Sequence, residues 1–310
     1  MRLPNVLALA LALALALWPT SSRADPHPMA SGATAAPSTE TQVAIAEETL
    51  AIAMELRTAS VRAAITLVNP GEATKLKVGF PCASGADAGA IDVPCKVPLR
   101  VTVNGKRVAL RRERAGRKQT HWTWTMSFAA GARVEVVVAY RAPLLNDRYS
   151  VPAFGLGSFT YRLTTGARWA GPIGKLKISV EHRHDALLFV SPAGYQREPG
   201  RITWELTDHE PTEEVILIPH PMMGNRLASV LGGKTLAEAH QRLAAGDYAK
   251  ADVEAAIAEL RDQTDDDWLT GWLRIISRVG GFTAPSLART KACIAESIAL
   301  LEGMATKAKR

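Results

Sequence analysis

Short runs of alternating apolar and polar residues, separated by turn residues, fill the chain from Thr41 to about Pro221. A period of two places one face of each run against a core, as in β-strands, and near-regular spacing of such runs is typical of a sandwich. Asn104-Gly105 lies between two of the runs and predicts a tight hairpin turn, because this pair tolerates positive φ angles. The predicted strands are residues 43–56, 60–68, 74–80, 99–103, 106–110, 121–128, 134–140, 159–163, 174–181, 187–190, 201–206 and 215–218.

The hydrophobic period changes from two to 3.6 residues at about Leu231, which indicates amphipathic helices. Four are predicted, at residues 236–245, 249–260, 268–279 and 286–305. The Gly246 turn and the Gly280 turn each precede an aromatic residue and lie 34 positions apart, which is the tetratricopeptide period. A plain four-helix bundle packed on the β domain is the open alternative. The predicted fold class is therefore mainly β, with an antiparallel β-sandwich-type domain over 41–221 and an α-helical domain over 231–306.

The first residues carry the features of a secretory signal. Arg2 gives a positive start, and residues 6–18 form an apolar run too short to span a hydrocarbon core of roughly 30 Å. Ser22 and Ala24 put small residues where a signal peptidase needs them, which predicts a signal peptide over 1–24 and a periplasmic or secreted protein. An uncleaved anchor is the alternative. No later stretch is long and apolar enough for a transmembrane segment, and residues 25–40 are expected to form a flexible leader.

The charge and the cysteines of the chain bear on its possible partners, on disulfide bonding and on zinc binding. The formal net charge of +7 falls to +5 when Arg2 and Arg23 leave with the signal, a surplus that permits contact with anionic surfaces. In an oxidising compartment Cys82 and Cys95 are the expected disulfide pair, because both lie in one segment that contains glycine and proline. Cys293 lies in a helical pattern and is expected to be a buried thiol. The spacing of the cysteines fits no zinc site.

Residues 161–173 read Y-R-L-T-T-G-A-R-W-A-G-P-I and precede a predicted strand. This run resembles the Y-x-L-x-TGA-x-W-x-GPI motif of an uncharacterised bacterial family of exported β-sandwich proteins, catalogued as a domain of unknown function. Three earlier features occur in the same order as in that family. They are a glutamate-rich strand start at Glu47, Asn69 after a strand, and Pro81 at a strand end. The resemblance covers roughly residues 41–221. It implies a secreted β domain and supplies no catalytic residues.

Within this motif, Gly166, Gly171 and Pro172 bracket Trp169. Two flexible positions and one rigid one allow the chain to fold the indole over the end of a sheet. Trp169 is interpreted as a structural plug, and stacking of the same indole on a ligand remains an alternative.

The hairpin at residues 105–118 is the most basic segment of the chain, with seven basic side chains and one acidic one. Its Arg111, Arg112 and Arg114, together with Trp122 and Trp124, form a candidate binding patch for an anionic envelope component. The alternative is a solvated loop whose charge keeps the protein soluble and discourages edge pairing. Nucleic acid is not an expected partner outside the cell.

Candidate catalytic and metal-binding residues are few. His182 and His184 lie two apart at a predicted strand end, so both imidazoles would share a face, a geometry that metals use. A third ligand would have to come from Asp185, His209 or His220. The acidic cluster of residues 262–267 suits a helix N-terminus better than a calcium site. The chain contains no Gly-x-Ser-x-Gly, His-Glu-x-x-His or P-loop pattern, and no cofactor is expected.

These observations favour an exported, non-catalytic binding protein of the bacterial cell envelope, with an envelope protein or an anionic envelope component as its partner. The alternative is an envelope hydrolase or metal-dependent enzyme that uses His182 and His184.

Overall fold

The structure is a computed structural model. It describes residues 36–37, 41–55, 58–83, 98–115, 119–144, 159–183, 187–219, 235–262, 265–280 and 286–308. The predicted signal peptide, most of the leader, Cys95, His184, Asp185 and His220 lie outside these residues.

Fifteen strands are present in the described part of the chain. They are β1 (Ala36–Pro37), β2 (Ala44–Met54), β3 (Thr58–Val68), β4 (Thr74–Ala83), β5 (Arg100–Val103), β6 (Lys106–Arg107), β7 (Arg111–Ala115), β8 (Gln119–Phe128), β9 (Arg133–Pro143), β10 (Phe159–Tyr161), β11 (Ile173–Glu181), β12 (Leu187–Ser191), β13 (Gln196–Glu198), β14 (Arg201–His209) and β15 (Val215–Pro219).

The largest sheet has eight strands in the order β13-β14-β11-β2-β3-β9-β5-β6. Alternation along β2 buries Leu50, Ile52 and Met54 on its inner face. All pairs are antiparallel except β11 and β2, which run parallel. The predicted fold class, a mainly β, antiparallel sandwich-type domain followed by helices, is confirmed, and this one parallel pair departs from the antiparallel pattern. Parallel neighbours need a long crossover rather than a hairpin, and here the crossover contains the intervening strands.

A four-stranded sheet, β1-β4-β8-β7, supplies more of the buried core, and its Phe80 meets Tyr140 of β9 edge to face with ring centroids 5.5 Å apart. Two of its strands were not predicted. β7 lies in the segment expected to be a charged turn, yet it pairs with β8, because charged side chains are tolerated on an edge strand. β1 lies in the segment expected to be a flexible leader and pairs with β4. The predicted hairpin turn is confirmed, since φ is 48° at Asn104 and 74° at Gly105.

All four predicted helices are confirmed. They are α1 (Leu236–Ala244), α2 (Lys250–Asp262), α3 (Asp266–Gly280) and α4 (Leu287–Lys307). A capping box between Thr235 and Glu238 begins α1, and the Ser286 hydroxyl caps α4. The Asp265 carboxylate accepts from the N–H groups of Asp267 and Trp268, as the helix-cap interpretation of the acidic cluster predicted. No helix in the described residues is both long and apolar enough to cross a membrane.

A three-stranded sheet, β10-β15-β12, joins the sandwich to the helices. Along β15, Val215 and Leu217 belong to the sandwich core, whereas Ile216 and Ile218 pack with Leu269 of α3 and Ile294 of α4. Both faces of this strand are buried, which explains its uninterrupted apolar sequence. The helices α3 and α4 thus pack on this three-stranded sheet, and α4 also packs on α2.

The motif at 161–173 forms a tight structural turn. Thr164 donates from its backbone N–H and its hydroxyl to the Glu214 carboxylate, at 3.1 and 2.7 Å. A Cβ on Gly166 would lie 3.1 Å from Ile173 Cδ1 and 3.3 Å from Pro211, so packing leaves little room for a larger residue. The motif is therefore packed tightly against the start of β11 and the segment just before β15.

Cys293 is a buried free thiol, as predicted, and burial raises its pKa to about 11. We expect native protein to show no fast reaction with an aromatic disulfide reagent at about pH 8, because almost no thiolate forms. In denaturant without reductant, one thiol per chain should react if Cys82 and Cys95 are bonded. Three reactive thiols under those conditions would contradict the predicted disulfide.

Candidate ligand-binding site

A groove runs along the boundary between the sandwich and the helices. Its larger part is a cavity of about 400 Å³ between α1, α4 and the turn that joins β13 to β14. The apolar side chains that line it include Pro199, Leu243, Tyr248, Leu300 and Met304. The cavity falls in the volume range of small-molecule sites in proteins.

A second cavity of about 330 Å³ adjoins the first and shares Ala299 and Leu300 with it. We call the two together the junction groove. The polar groups of the second cavity are Tyr195, Arg197 and Glu296, and the Tyr195 hydroxyl donates to Glu296 Oε2 at 2.5 Å. Burial, with smaller contributions from Cys293 and Glu296, raises the pKa of Tyr195, so this phenol stays protonated and able to donate.

Ser297 fixes the α4 wall of the groove. Its buried hydroxyl accepts from the Leu187 N–H at 3.1 Å and from Arg197 Nη1 at 3.0 Å, and it lies 3.0 Å from the Leu187 carbonyl. Cys293, one turn earlier, places its thiol 3.6 Å from the same carbonyl. These contacts tie α4 to the start of β12 and hold Arg197 against the helix.

The α1 wall is fixed to the eight-stranded sheet. Glu55 Oε1, just after β2, accepts from the Leu236 N–H at 3.2 Å, and Glu55 Oε2 lies 3.9 Å from the guanidinium of buried Arg183. His240 Nε2 lies 3.2 Å from the carbonyl oxygen of His182. A carbonyl can only accept, so His240 carries its hydrogen on Nε2. Gly200 completes this wall, because a Cβ there would lie 2.9 Å from His240 Nε2.

The charges around the junction groove are unequal. Lys307 lines the larger cavity, and Arg197 and Glu296 line the smaller one, where the Glu296 carboxylate accepts a hydrogen bond from the Tyr195 hydroxyl. An apolar floor with cationic groups at its borders suits an amphipathic molecule with an apolar body and an anionic group. The described residues contain no group of three histidine, cysteine or acidic side chains placed to hold a metal ion.

The predicted basic patch is divided by the period-two geometry of β7. Arg111 and Arg112 are exposed and occupy opposite faces of the strand, and the Arg112 guanidinium lies 4.5 Å from the ring centre of partly exposed Trp122. Arg114 pairs through its backbone with Thr120. Trp124 is 4 % exposed and packs in the sandwich core, so it offers little surface to a ligand.

The remaining candidates are buried, partly buried or outside the described residues. Trp169 is 4 % exposed, which favours the structural-plug interpretation over ligand stacking. His182 is 1 % exposed, and His209 lies at the end of β14 with a pKa lowered chiefly by burial. The metal pair needs His184 and the disulfide needs Cys95, so neither prediction falls within the described residues.

Sequence reasoning missed the junction groove entirely. Its lining comes from the β13–β14 turn, from α1 and the residues after it, and from α4, which are separated by about 40 to 50 residues in sequence. Most of its members are small or apolar and carry no motif. The small residues Ala299 and Gly303, one turn apart in the predicted last helix, were a weak signal in the sequence.

The fold resembles that of a candidate nutrient binding protein from Legionella pneumophila, with a TM-score of 0.54 and 16% sequence identity over 90% of this chain and 98% of the other. Only a tenth of this chain lies outside the aligned region, so the aligned region includes both strands and helices. An M1 zinc metallopeptidase from Deinococcus radiodurans aligns with 59% of this chain and 44% of its own length, at 12% identity and a TM-score of 0.31. No protein-family model and no curated protein matches the chain. The likeness to the Legionella protein therefore shows a shared fold.

Proposed function

We propose that the protein is an exported, non-catalytic binding protein of the bacterial cell envelope that holds a small ligand in the junction groove. One observation carries the proposal: two adjoining cavities, of about 400 and 330 Å³, share an apolar floor beside cationic residues. The signal-like start of the sequence and the motif of the exported β-sandwich family support the location. The nutrient-binding description of the Legionella protein supports a small-molecule ligand.

The ligand class follows from the lining. Leu300 and Met304 offer aliphatic contact along α4, and Lys307 lies one turn further along the same helix from Met304. An aliphatic chain placed along this wall would bring a carboxylate to the lysine ammonium. We therefore infer that the ligand is an aliphatic or amphipathic carboxylate.

Sodium decanoate below its micelle concentration is a suitable probe for isothermal titration calorimetry. A molecule of about twelve non-hydrogen atoms that gains roughly 0.4 kcal/mol per atom should bind with a dissociation constant of roughly 0.1–1 mM. Ala299 lines both cavities and is exposed, so Ala299→Trp should fill the groove and weaken binding at least tenfold without unfolding α4.

The matched control is Ala258→Trp, which places the same indole at an exposed position of α2 that does not line the groove. Its affinity for decanoate should stay within about twofold of that of the parent protein. Equal affinity in all three proteins, or no binding to any of them, would contradict the proposed ligand site.

A further inference from the structure

Four exposed arginines, distant in sequence, meet on the outer face of the eight-stranded sheet. They are Arg62 of β3, Arg100 of β5, Arg107 of β6 and Arg141 of β9. Ala139 of β9 pairs with Arg62 on one side and with Arg100 on the other. Two strand spacings therefore separate these two arginines, which is roughly 10 Å.

The other two arginines extend the same surface. Arg107 pairs with Thr102, two residues along β5 from Arg100, and Arg141 lies two residues along β9 from Ala139. Residues two apart on a strand share a face, so all four side chains leave the sheet on the side opposite the core. We call these four residues the arginine face.

The positive charge of this face is not neutralised within the described residues. None of the four makes an ion pair there, and Arg141 donates from Nε to the Thr58 hydroxyl at 3.0 Å. The only acidic residue on β3, β5, β6 and β9 is Glu135. It lies on β9 two residues beyond Val137, which pairs with Thr102 of β5. Unpaired like charges on neighbouring strands repel one another, and bound anions would relieve that repulsion.

The shape of the arginine face indicates whether it binds a single anion or a surface that carries many. Small side chains such as Ala139, Ala64 and Ser60 lie between the arginines, so the surface is a broad sheet face. Guanidinium groups bind phosphate oxygens through paired N–H donors, and groups spread over such a face can contact several phosphates at once. We propose that the arginine face binds the phosphate headgroups of an anionic lipid surface. This proposal is independent of the junction groove.

Flotation with vesicles of phosphatidylethanolamine and phosphatidylglycerol (3:1) tests the proposal, with phosphatidylcholine vesicles as the neutral comparison. The parent protein should float with the anionic vesicles only, and binding should weaken as sodium chloride is raised. The triple variant Arg62→Gln, Arg100→Gln, Arg107→Gln should bind roughly 100-fold more weakly, at about fivefold per arginine. The corresponding triple lysine variant keeps the charge and should retain binding, which separates loss of charge from loss of fold.

A charge-matched control removes three other exposed cations, in the variant Lys75→Gln, Arg111→Gln, Lys250→Gln, from the four-stranded sheet and α2. Its binding should stay within about threefold of the parent. A loss in this control as large as in the arginine variant would assign binding to net charge and overturn the proposal. So would absence of binding to anionic vesicles, including the case in which the protein binds soluble inorganic polyphosphate alone.

Discussion

Glu48→Gln should stabilise the protein by about 3 kcal/mol at about pH 8 and change its stability little at about pH 4. Glu48 is 1 % exposed in the sandwich core, and its Oε1 accepts from the Tyr161 hydroxyl at 3.2 Å. Burial raises the pKa of this carboxyl from 4.5 to about 7, against a smaller opposing effect of the Tyr161 hydrogen bond. A shift of this size corresponds to about 3 kcal/mol, at 1.36 kcal/mol per pKa unit.

The direction of the pH dependence follows from proton binding. Below pH 4.5 the carboxyl is protonated in both the folded and the unfolded protein, so it adds no pH dependence. Between pH 4.5 and about 7 only the folded protein keeps the proton, and stability falls as the pH rises. Above about pH 7 the loss is complete. A glutamine at this position cannot ionise, and its side-chain oxygen still accepts from the Tyr161 hydroxyl. The stability of the variant therefore does not fall over this pH range.

Urea unfolding at both pH values measures this effect. Glu47→Gln is the matched control, because Glu47 is the exposed neighbour on β2 and its ion pair with Arg133 lies on the surface. This control should change the free energy of unfolding by less than about 0.5 kcal/mol. Equal stability of Glu48→Gln and the parent protein at both pH values would show that Glu48 is not a buried carboxyl.

Ser297→Ala should lower the free energy of unfolding by about 2–4 kcal/mol. The Ser297 hydroxyl is the acceptor for the buried Leu187 N–H and for Arg197 Nη1, and alanine provides neither group with a replacement. A buried donor left without a partner costs about 1–3 kcal/mol, and more when it is charged. Chemical denaturation of this variant beside Thr306→Ala, an exposed position of the same helix, isolates the effect. A loss below about 1 kcal/mol would mean that other contacts hold α4 on β12.

The strands and helices were largely predictable because burial of one face imposes a period on the sequence. The period-two runs of β2 and β3 and the 3.6-residue period of α4 are examples. Pairing order was not predictable in the same way. The parallel contact of β11 with β2 joins segments more than 100 residues apart, and no local pattern specifies it. The charged strand β7 was interpreted as a turn, because its sequence lacks an apolar face.

The two candidate sites depend on this long-range order. Arg62 and Arg141 become neighbours only through the pairing of β3 with β9, and each is an isolated charge in its own segment. The junction groove likewise forms only when α4 docks beside the β13–β14 turn. Arg111 and Arg112 were predicted to form one binding patch because they are adjacent in sequence. In a strand, however, adjacent side chains lie on opposite faces.

If the junction groove holds a small amphipathic ligand, as we propose, the methyl groups that line it should report its binding. Methyl NMR of protein labelled at leucine and methionine, titrated with sodium decanoate, tests this claim most directly. We expect saturable shifts of the Leu243, Leu300 and Met304 methyl groups, which line the larger cavity, and no saturable shifts in Ala299→Trp. Shifts confined to methyl groups elsewhere, or shifts that persist unchanged in Ala299→Trp, would contradict it.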